Sequence, residues 1–419
     1  METNIPYLVS DDAIPPLLDY CHQNGYKRLF LIADPNTYTV LGQRAESALR
    51  DGGFDVKTIL LTGEEIATDE HYVMRTFVET GGEDRQYIAV GSGTITDITR
   101  FVSHRARTVF ISLPTAPSVD GYTSTVAPMV VGRYKGPIQA HPPVAVFADL
   151  PTLCAAPRVM IAAGLGDLLG KYTSLADWRL GALLYDEPYS AEIDRMMRDS
   201  VDRTVEAIDS IREASCEGIT RLMDGLVGSG FGMLAFGDSR PASGSEHHVA
   251  HFWEMKFILE GRPAVLHGAK VGVATVLAAR RYELLRQMSK KDAHHTLGPR
   301  TLPSQAQMLT EIRAGYGPTT ERIVQIQKPL FAMTPAEFAS LKERILTNWD
   351  RIQEIATTVP TPEQIAGWIS AAAGPIDPAD IGLRPDEVRL GLVSGHYLRD
   401  RFTLNRLGYW LNLPLGIED

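Results

Sequence analysis

The chain has 419 residues, of which 44% are hydrophobic and 22% charged, and its formal net charge is −10. That balance is globular and excludes a fibre or a disordered chain, and the length suits two domains of roughly 100–200 residues each. A surface this acidic repels a phosphate backbone, which argues against nucleic acid as a partner and means that an anionic substrate needs a local patch of positive charge.

In chain order, the opening stretch METNIPYLVSDDAIPPLLDY has no basic run followed by an apolar segment, so no signal peptide is expected. No apolar segment approaches the roughly 18 residues of a membrane span. Short apolar runs then alternate with helical patterns. Arg28–Asp34 (RLFLIAD), Asp55–Leu61, Tyr87–Gly91 (YIAVG) and Thr108–Leu113 (TVFISL) read as strands, and Thr39–Asp51, Asp69–Thr80 and Ile95–His104 read as helices. Such alternation implies βαβ units and a parallel sheet. Val126–Asp149 reads as a hairpin with turn residues at Gly132 and Lys135–Pro137. Beyond residue 150 the pattern turns helical: Pro157–Leu184 is long and interrupted only by glycines, Ser190–Ala214 is amphipathic, and no strand pattern follows Asp149. The expected organisation is an α/β domain over residues 1–150, with a parallel sheet, and an all-helical domain over 151–419, with ligands in a cleft between them. Cys21, Cys154 and Cys216 are far apart and form no CxxC pair, which fits a reducing compartment, and a soluble cytoplasmic protein is expected.

Three loops at strand ends carry candidate chemistry. In YIAVGSGTITD the strand ends at Gly91-Ser92-Gly93 and a helix begins at once, so its first N–H groups can meet a pyrophosphate, although the spacing is not GxGxxG and a tight turn reads equally simply. The next strand runs into Pro114-Thr115-Ala116-Pro117-Ser118-Val119-Asp120-Gly121-Tyr122-Thr123-Ser124, rich in hydroxyls and holding one carboxylate, as a ligand loop or a plain polar turn would be. Asp34 closes the first strand, where a carboxylate accepts ribose hydroxyls and repels a 2′-phosphate, or simply starts an Asp-Pro-Asn turn.

In the helical half, Ala163-Gly164-Leu165-Gly166-Asp167 stands near the start of a helix. Ser243 and Glu246 have capping-box spacing, which predicts a helix start there. His247 and His251 are four apart and share a helical face, with His248 beside them, and His267 follows His247 by 20 residues. Two imidazoles and a carboxylate on three helices can hold a divalent cation with positions left open, but an HxxxH pair also arises by chance.

Five motifs together resemble the iron-containing alcohol dehydrogenase and dehydroquinate synthase superfamily, and within it the bacterial branch of the glycerol-1-phosphate dehydrogenases. They are GSGTITDITRF (Gly91–Phe101), PTAPSVDGYTS (Pro114–Ser124), GLGDLLGKYTSLADW (Gly164–Trp178), SGSEHHVAHFWE (Ser243–Glu254) and LHGAKVGVAT (Leu266–Thr275). The resemblance implies a Rossmann-like domain followed by a helical one. It implies metal ligands at Asp167, His247 and His267, with the substrate at Asp120, Asp167 and His251. It implies a dinucleotide at Gly91, Ser92, Gly93, Thr94, Ile95, Thr115, Ala116, Pro117, Ser118 and Ser124. Where iron alcohol dehydrogenases carry a further histidine this chain has Lys171, so zinc or nickel is expected before iron. The implied reaction is reversible reduction of dihydroxyacetone phosphate to sn-glycerol 1-phosphate with NAD(P)H, by a homodimer or larger homo-oligomer, and Asp34 at the end of the first strand predicts that NADH is preferred over NADPH. Glycerol or polyol dehydrogenase activity and a dehydroquinate synthase-like sugar-phosphate cyclase are the alternatives, and a nucleotide-binding regulatory protein would need neither His247 nor His267.

Overall fold

The computed structural model describes residues 5–417. The chain divides into two compact units, Met1–Leu168 with Asp202–Asp238, and Leu169–Val201 with Ser239–Asp419. The boundary expected at residue 150 coincides with the short helix Leu150–Cys154, and the first unit continues past it to Leu168.

The first unit holds a six-stranded parallel sheet built from β1 (Tyr7–Ser10), β2 (Arg28–Ala33), β3 (Asp55–Leu60), β4 (Gln86–Val90), β5 (Phe110–Leu113) and a later strand, Ala145–Asp149. Alternate residues of the central strands feed two apolar layers. Leu29, Leu31, Ile88 and Val90 face a core with Leu17, Cys21 and Leu49, whereas Phe30, Ile32, Tyr87 and Ala89 face one with Tyr72, Val73, Ile98 and Val102. The two layers are closed by α1 (Ile14–Gln23) and α2 (Gln43–Asp51) on one face, and by α3 (Glu70–Thr80) and α4 (Gly93–Arg105) on the other. Burial on both faces is why these strands read as continuous apolar runs rather than as alternating ones. Before α2 the chain makes a short turn of helix at Pro35–Thr37 and a π-turn at Tyr38–Gly42, so the expected helix over 39–51 is regular only from Gln43.

Strand order is β1–(Ala145–Asp149)–β5–β4–β2–β3. After β2 the chain places β3 on one side and then returns to place β4 on the other. The reversal leaves a crevice at the carboxyl ends of β2 and β4, which is where open parallel sheets bind ligands. Asp34 and Gly91–Gly93 follow those two ends directly.

The expected hairpin over 126–149 is shorter. β6 (Val126–Val131) and β7 (Tyr134–Gln139) pair antiparallel, and Gly132 and Arg133, both with positive φ, make the two-residue turn. Lys135–Pro137 lie inside β7 rather than in the turn. β8 (Ala145–Asp149) leaves the hairpin for the main sheet, between β5 and β1. All five of its residues are buried, as suits an interior parallel strand. β1 gave no sequence signal because it is a four-residue, partly exposed edge strand.

The stretch 157–184 is two helices, α5 (Arg158–Leu169) and α6 (Lys171–Tyr185), separated at Gly170. Asp167 therefore stands near the end of α5, not near a helix start. Later helices are α7 (Cys216–Phe236) in the first unit, and α8 (Ser245–Glu260), α9 (His267–Gln287) and α10 (Leu404–Leu411) in the second. Among the described residues no strand follows Asp149, and no helix is long and apolar enough to cross a membrane.

Candidate active site

In the first unit the glycine turn between β4 and α4 is tight by necessity: a Cβ on Gly91 would lie 2.6 Å from Cβ of Ile95. Ser92 is the N-cap residue, but its hydroxyl does not cap the helix. It turns to the hydroxyls of Ser118 and Tyr122, and Tyr122 in turn donates to the carbonyl of Ala116. The first-turn amides at Gly93, Thr94 and Ile95 consequently have no side-chain cap. An uncapped helix N-terminus presents N–H groups and a positive dipole end that suit a phosphate. The fold thus brings Gly91–Ile95 and Thr115–Ser118 together. Ser124 lies farther along, its hydroxyl accepting the Val126 N–H at 3.0 Å.

Asp34 caps the turn after β2. Its Oδ1 accepts the N–H groups of Asn36 (2.8 Å) and Thr37 (2.9 Å), and Thr37 Oγ1 accepts the Asp34 N–H. The side chain is thus held at the carboxyl edge of the sheet, half-buried.

Asp120 and Asp167 meet in the same unit. The Asp120 N–H donates to Asp167 Oδ2 (3.0 Å), and Asp120 Oδ2 accepts the hydroxyl of Ser229 from α7 (2.8 Å). Small residues permit this. A Cβ on Gly164 would fall 1.8 Å from the carbonyl oxygen of Pro117, and one on Gly230 would fall 2.1 Å from Thr123 Oγ1. Arg100 of α4, fully buried, donates to the carbonyls of Gly121 (2.6 Å), Tyr122 (3.0 Å) and Val126 (3.2 Å) and pairs with Asp97. It pins the backbone that carries Asp120. Arg100 lies within the motif GSGTITDITRF, where its spacing marks no role, and Ser229 lies outside the five motifs.

In the second unit, three imidazoles converge. The ring centre of His267, the first residue of α9, lies 5.4 Å from that of His247 and 5.1 Å from that of His251. The turn between α8 and α9 falls where Glu260-Gly261-Arg262-Pro263 predicts it, with Gly261 left-handed at the helix end. The helix start is one residue later than the capping-box spacing suggests. Gly244 is the cap, and Glu246 accepts its N–H (2.8 Å). Gly244 is required because a Cβ there would lie 2.5 Å from Asp177 Oδ2.

Glu246 also accepts from Thr173 Oγ1 (2.6 Å) and contacts His247 Nδ1 (2.7 Å). A carboxylate on Nδ1 fixes the ring orientation and puts the proton on that nitrogen, an arrangement typical of histidines that bind metal through Nε2. His251 Nδ1 contacts Glu254 Oε2 (3.2 Å), and burial pushes the His251 pKa down to about 4. His248, the adjacent alternative, is buried, neither ring nitrogen makes a hydrogen bond among the described residues, and burial holds its pKa well below the usual range.

The support beneath these histidines is Asp177, which lies within the motif GLGDLLGKYTSLADW but carries no spacing signal of its own. Its carboxylate accepts the N–H groups of Ser245 and Leu404 and the hydroxyl of Tyr282, each at 2.6 Å. Burial first, and the Glu246 carboxylate second, push its pKa up to about 7 against the pull of Tyr282 and Ser245. Its neighbours in LGKYTSLADW are mostly apolar or small, and a lone carboxylate in a buried helix was the available signal.

The first unit is thus a doubly wound parallel sheet with a glycine turn at its switch point, and three histidines converge in the helical unit. Residues 8–157 match the family model described as iron-containing alcohol dehydrogenase. Among solved structures, the fold is similar to glycerol dehydrogenase from Schizosaccharomyces pombe (TM-score 0.56, 17% identity, 87% of this chain and 91% of that one). It is also similar to NADH-dependent butanol dehydrogenase A from Thermotoga maritima (TM-score 0.61, 11% identity, 100% of this chain and 98% of that one). Those likenesses are of fold alone. The chain is 35% identical over 401 residues to glycerol-1-phosphate dehydrogenase [NAD(P)+] of Geobacillus thermodenitrificans, covering 95% of this chain and 90% of that protein. It is 35% identical over 399 residues to the Bacillus subtilis protein of the same name, covering 94% and 89%. The chain belongs to the glycerol-1-phosphate dehydrogenase family.

Proposed function

We propose that this protein is an oxidoreductase that reversibly reduces dihydroxyacetone phosphate to sn-glycerol 1-phosphate. The observation that carries the reading is the nearly full-length identity to enzymes of that name, with the histidines of SGSEHHVAHFWE and LHGAKVGVAT converging in one unit. We assign the metal to Asp167, His247 and His267, and the substrate to Asp120, Asp167 and His251. The residues fit a divalent cation: two imidazole rings lie with their centres 5.4 Å apart, one is oriented by a buried carboxylate, and Asp167 is itself a buried carboxylate. When bound, the cation supplies Lewis acidity toward the ketone oxygen and the nicotinamide carries the hydride. Imidazole and carboxylate donors suit zinc or nickel. His251 or Asp120 moves the hydroxyl proton, and Gly91–Ile95 with Thr115–Ser118 and Ser124 receive the dinucleotide. The reading includes a cytoplasmic homodimer or larger assembly, which sedimentation of the purified enzyme measures.

The test is steady-state NADH oxidation with dihydroxyacetone phosphate against dihydroxyacetone. A charge-assisted contact to phosphate is worth about 1.5–3 kcal/mol, so the phosphorylated ketone is expected to win by about tenfold or more in kcat/KM. Equal rates would move the protein to the polyol dehydrogenases, and phosphate release without net NADH change would make it a cyclase.

Asp34 is assigned to the coenzyme ribose, giving a preference for NADH over NADPH. Its cap geometry makes Asp34→Gly a clean probe, because glycine at an N-cap costs only a few tenths of a kcal/mol. The variant is expected to narrow the ratio of the two kcat/KM values, and an unchanged ratio removes Asp34 from the ribose.

A further inference from the structure

His251, Glu254 and His267 offer two imidazoles and one carboxylate within 4.8 Å of one another, all in the second unit. By composition alone the trio could take a divalent ion of its own. Lys270 decides against that. Its buried ammonium lies 2.8 Å from Glu254 Oε1 and donates to the Val265 carbonyl at 2.8 Å. A carboxylate already neutralised by a buried ammonium is a poor ligand for a further cation, and the ammonium repels one.

The same contacts suit another role. Glu254 bridges the two groups, with Oε1 on Lys270 and Oε2 on His251 Nδ1 at 3.2 Å. A neutral imidazole has two tautomers, and the partner of one nitrogen selects which is present. A carboxylate can only accept, so it selects the tautomer protonated at Nδ1 and leaves a lone pair on Nε2. We propose that Glu254, held in place by Lys270, is a positioning residue for His251, setting Nε2 as the atom that exchanges the substrate's proton. The proposal rests on the reading that His251 serves proton transfer. In alcohol oxidation the O–H proton passes to Nε2, the C–H hydride leaves to the oxidised nicotinamide, and the C=O bond forms. The imidazolium then keeps its Nδ1–H on the Glu254 carboxylate, which stabilises the added charge. Reduction runs the same transfers backwards.

Spacing could have exposed the arrangement: Glu254 follows His251 by three residues, and Lys270 follows His267 by three. Each pair shares a helical face.

Glu254→Gln tests the proposal. Next to an ammonium the amide turns its oxygen to Lys270 and its NH2 to His251 Nδ1. That imposes the opposite tautomer and blocks Nε2 as an acceptor. Turnover of sn-glycerol 1-phosphate is expected to fall about 10²-fold in kcat, the scale of general acid–base catalysis, with metal content and far-UV circular dichroism unchanged. Adding Lys270→Met frees the amide to turn its oxygen to Nδ1, so the double variant is expected to regain about tenfold over Glu254→Gln. Lys270→Met alone is expected to lower kcat. A structural role would make the two substitutions additive, and a further loss in the double variant overturns the proposal. The second readout needs no turnover: ¹⁵N spectra of histidine-labelled resting holoenzyme should show His251 protonated at Nδ1 in the wild type and at Nε2 in Glu254→Gln. An unchanged tautomer overturns the positioning role. His251→Ala with undiminished kcat would instead remove the underlying reading, and the tautomer measurement keeps the two failures apart.

Discussion

Replacing His267 with alanine is expected to lower kcat/KM by about 10³-fold or more and to strip the enzyme of its divalent metal. Lewis-acid stabilisation of developing charge is worth several kcal/mol, and each 1.36 kcal/mol is a factor of ten, so a loss of about 4 kcal/mol gives that size. His267 is the first residue of α9 and its ring is only half-buried. The helix is anchored farther along by Val271, Val273, Val276, Leu277 and Tyr282, all buried, so the fold should survive. Metal content by elemental analysis, circular dichroism and steady-state kinetics on one preparation check the three parts together. A variant that keeps one equivalent of metal and wild-type turnover would sink the ligand assignment.

Asp177→Ala is expected to fail differently, through stability. Its carboxylate is the shared acceptor for the first residue of α8, for Tyr282 on α9 and for the first residue of α10. Alanine leaves three buried donors unmet. At about 1–3 kcal/mol each, the cost is on the order of 4 kcal/mol or more, a large part of the ~5–15 kcal/mol that holds a typical protein folded. Because Ser245 starts the helix that carries His247 and His251, metal affinity should fall with it. Urea unfolding followed by circular dichroism measures the first effect, and metal titration of the folded fraction measures the second. An unfolding free energy within about 0.5 kcal/mol of wild type would show that these hydrogen bonds contribute little. Asp177→Asn keeps one acceptor oxygen and should fall between.

The α/β character of the first 150 residues was legible because the interior strands β2, β4 and β5 are apolar runs set by burial on both faces, while the edge strand β3 alternates, with Asp55 and Lys57 exposed. The HxxxH pair and the later His267 were legible because histidine is scarce here and helical periodicity puts His247 and His251 on one face. The helix start at Gly244 was missed because a capping box is read from two residues, whereas Asp177, 67 residues earlier, requires a glycine there. The strand Ala145–Asp149 pairs with β5 and β1 rather than within the hairpin that its sequence suggests, because pairing partners are not written in a strand's own residues.

By itself, then, this sequence determined periodicities, turn positions and the identities of the reactive side chains, because those depend on neighbours within a few residues. Only the tertiary structure decided which polar groups share an environment. Arg100 on the backbone of Asp120, Ser229 on its carboxylate, Glu246 on His247, and Glu254 between Lys270 and His251 are mostly contacts between segments distant in the chain. Burial makes such contacts obligatory, since an unmet polar group costs more than a met one contributes. Which partner meets it depends on packing, which no local pattern encodes.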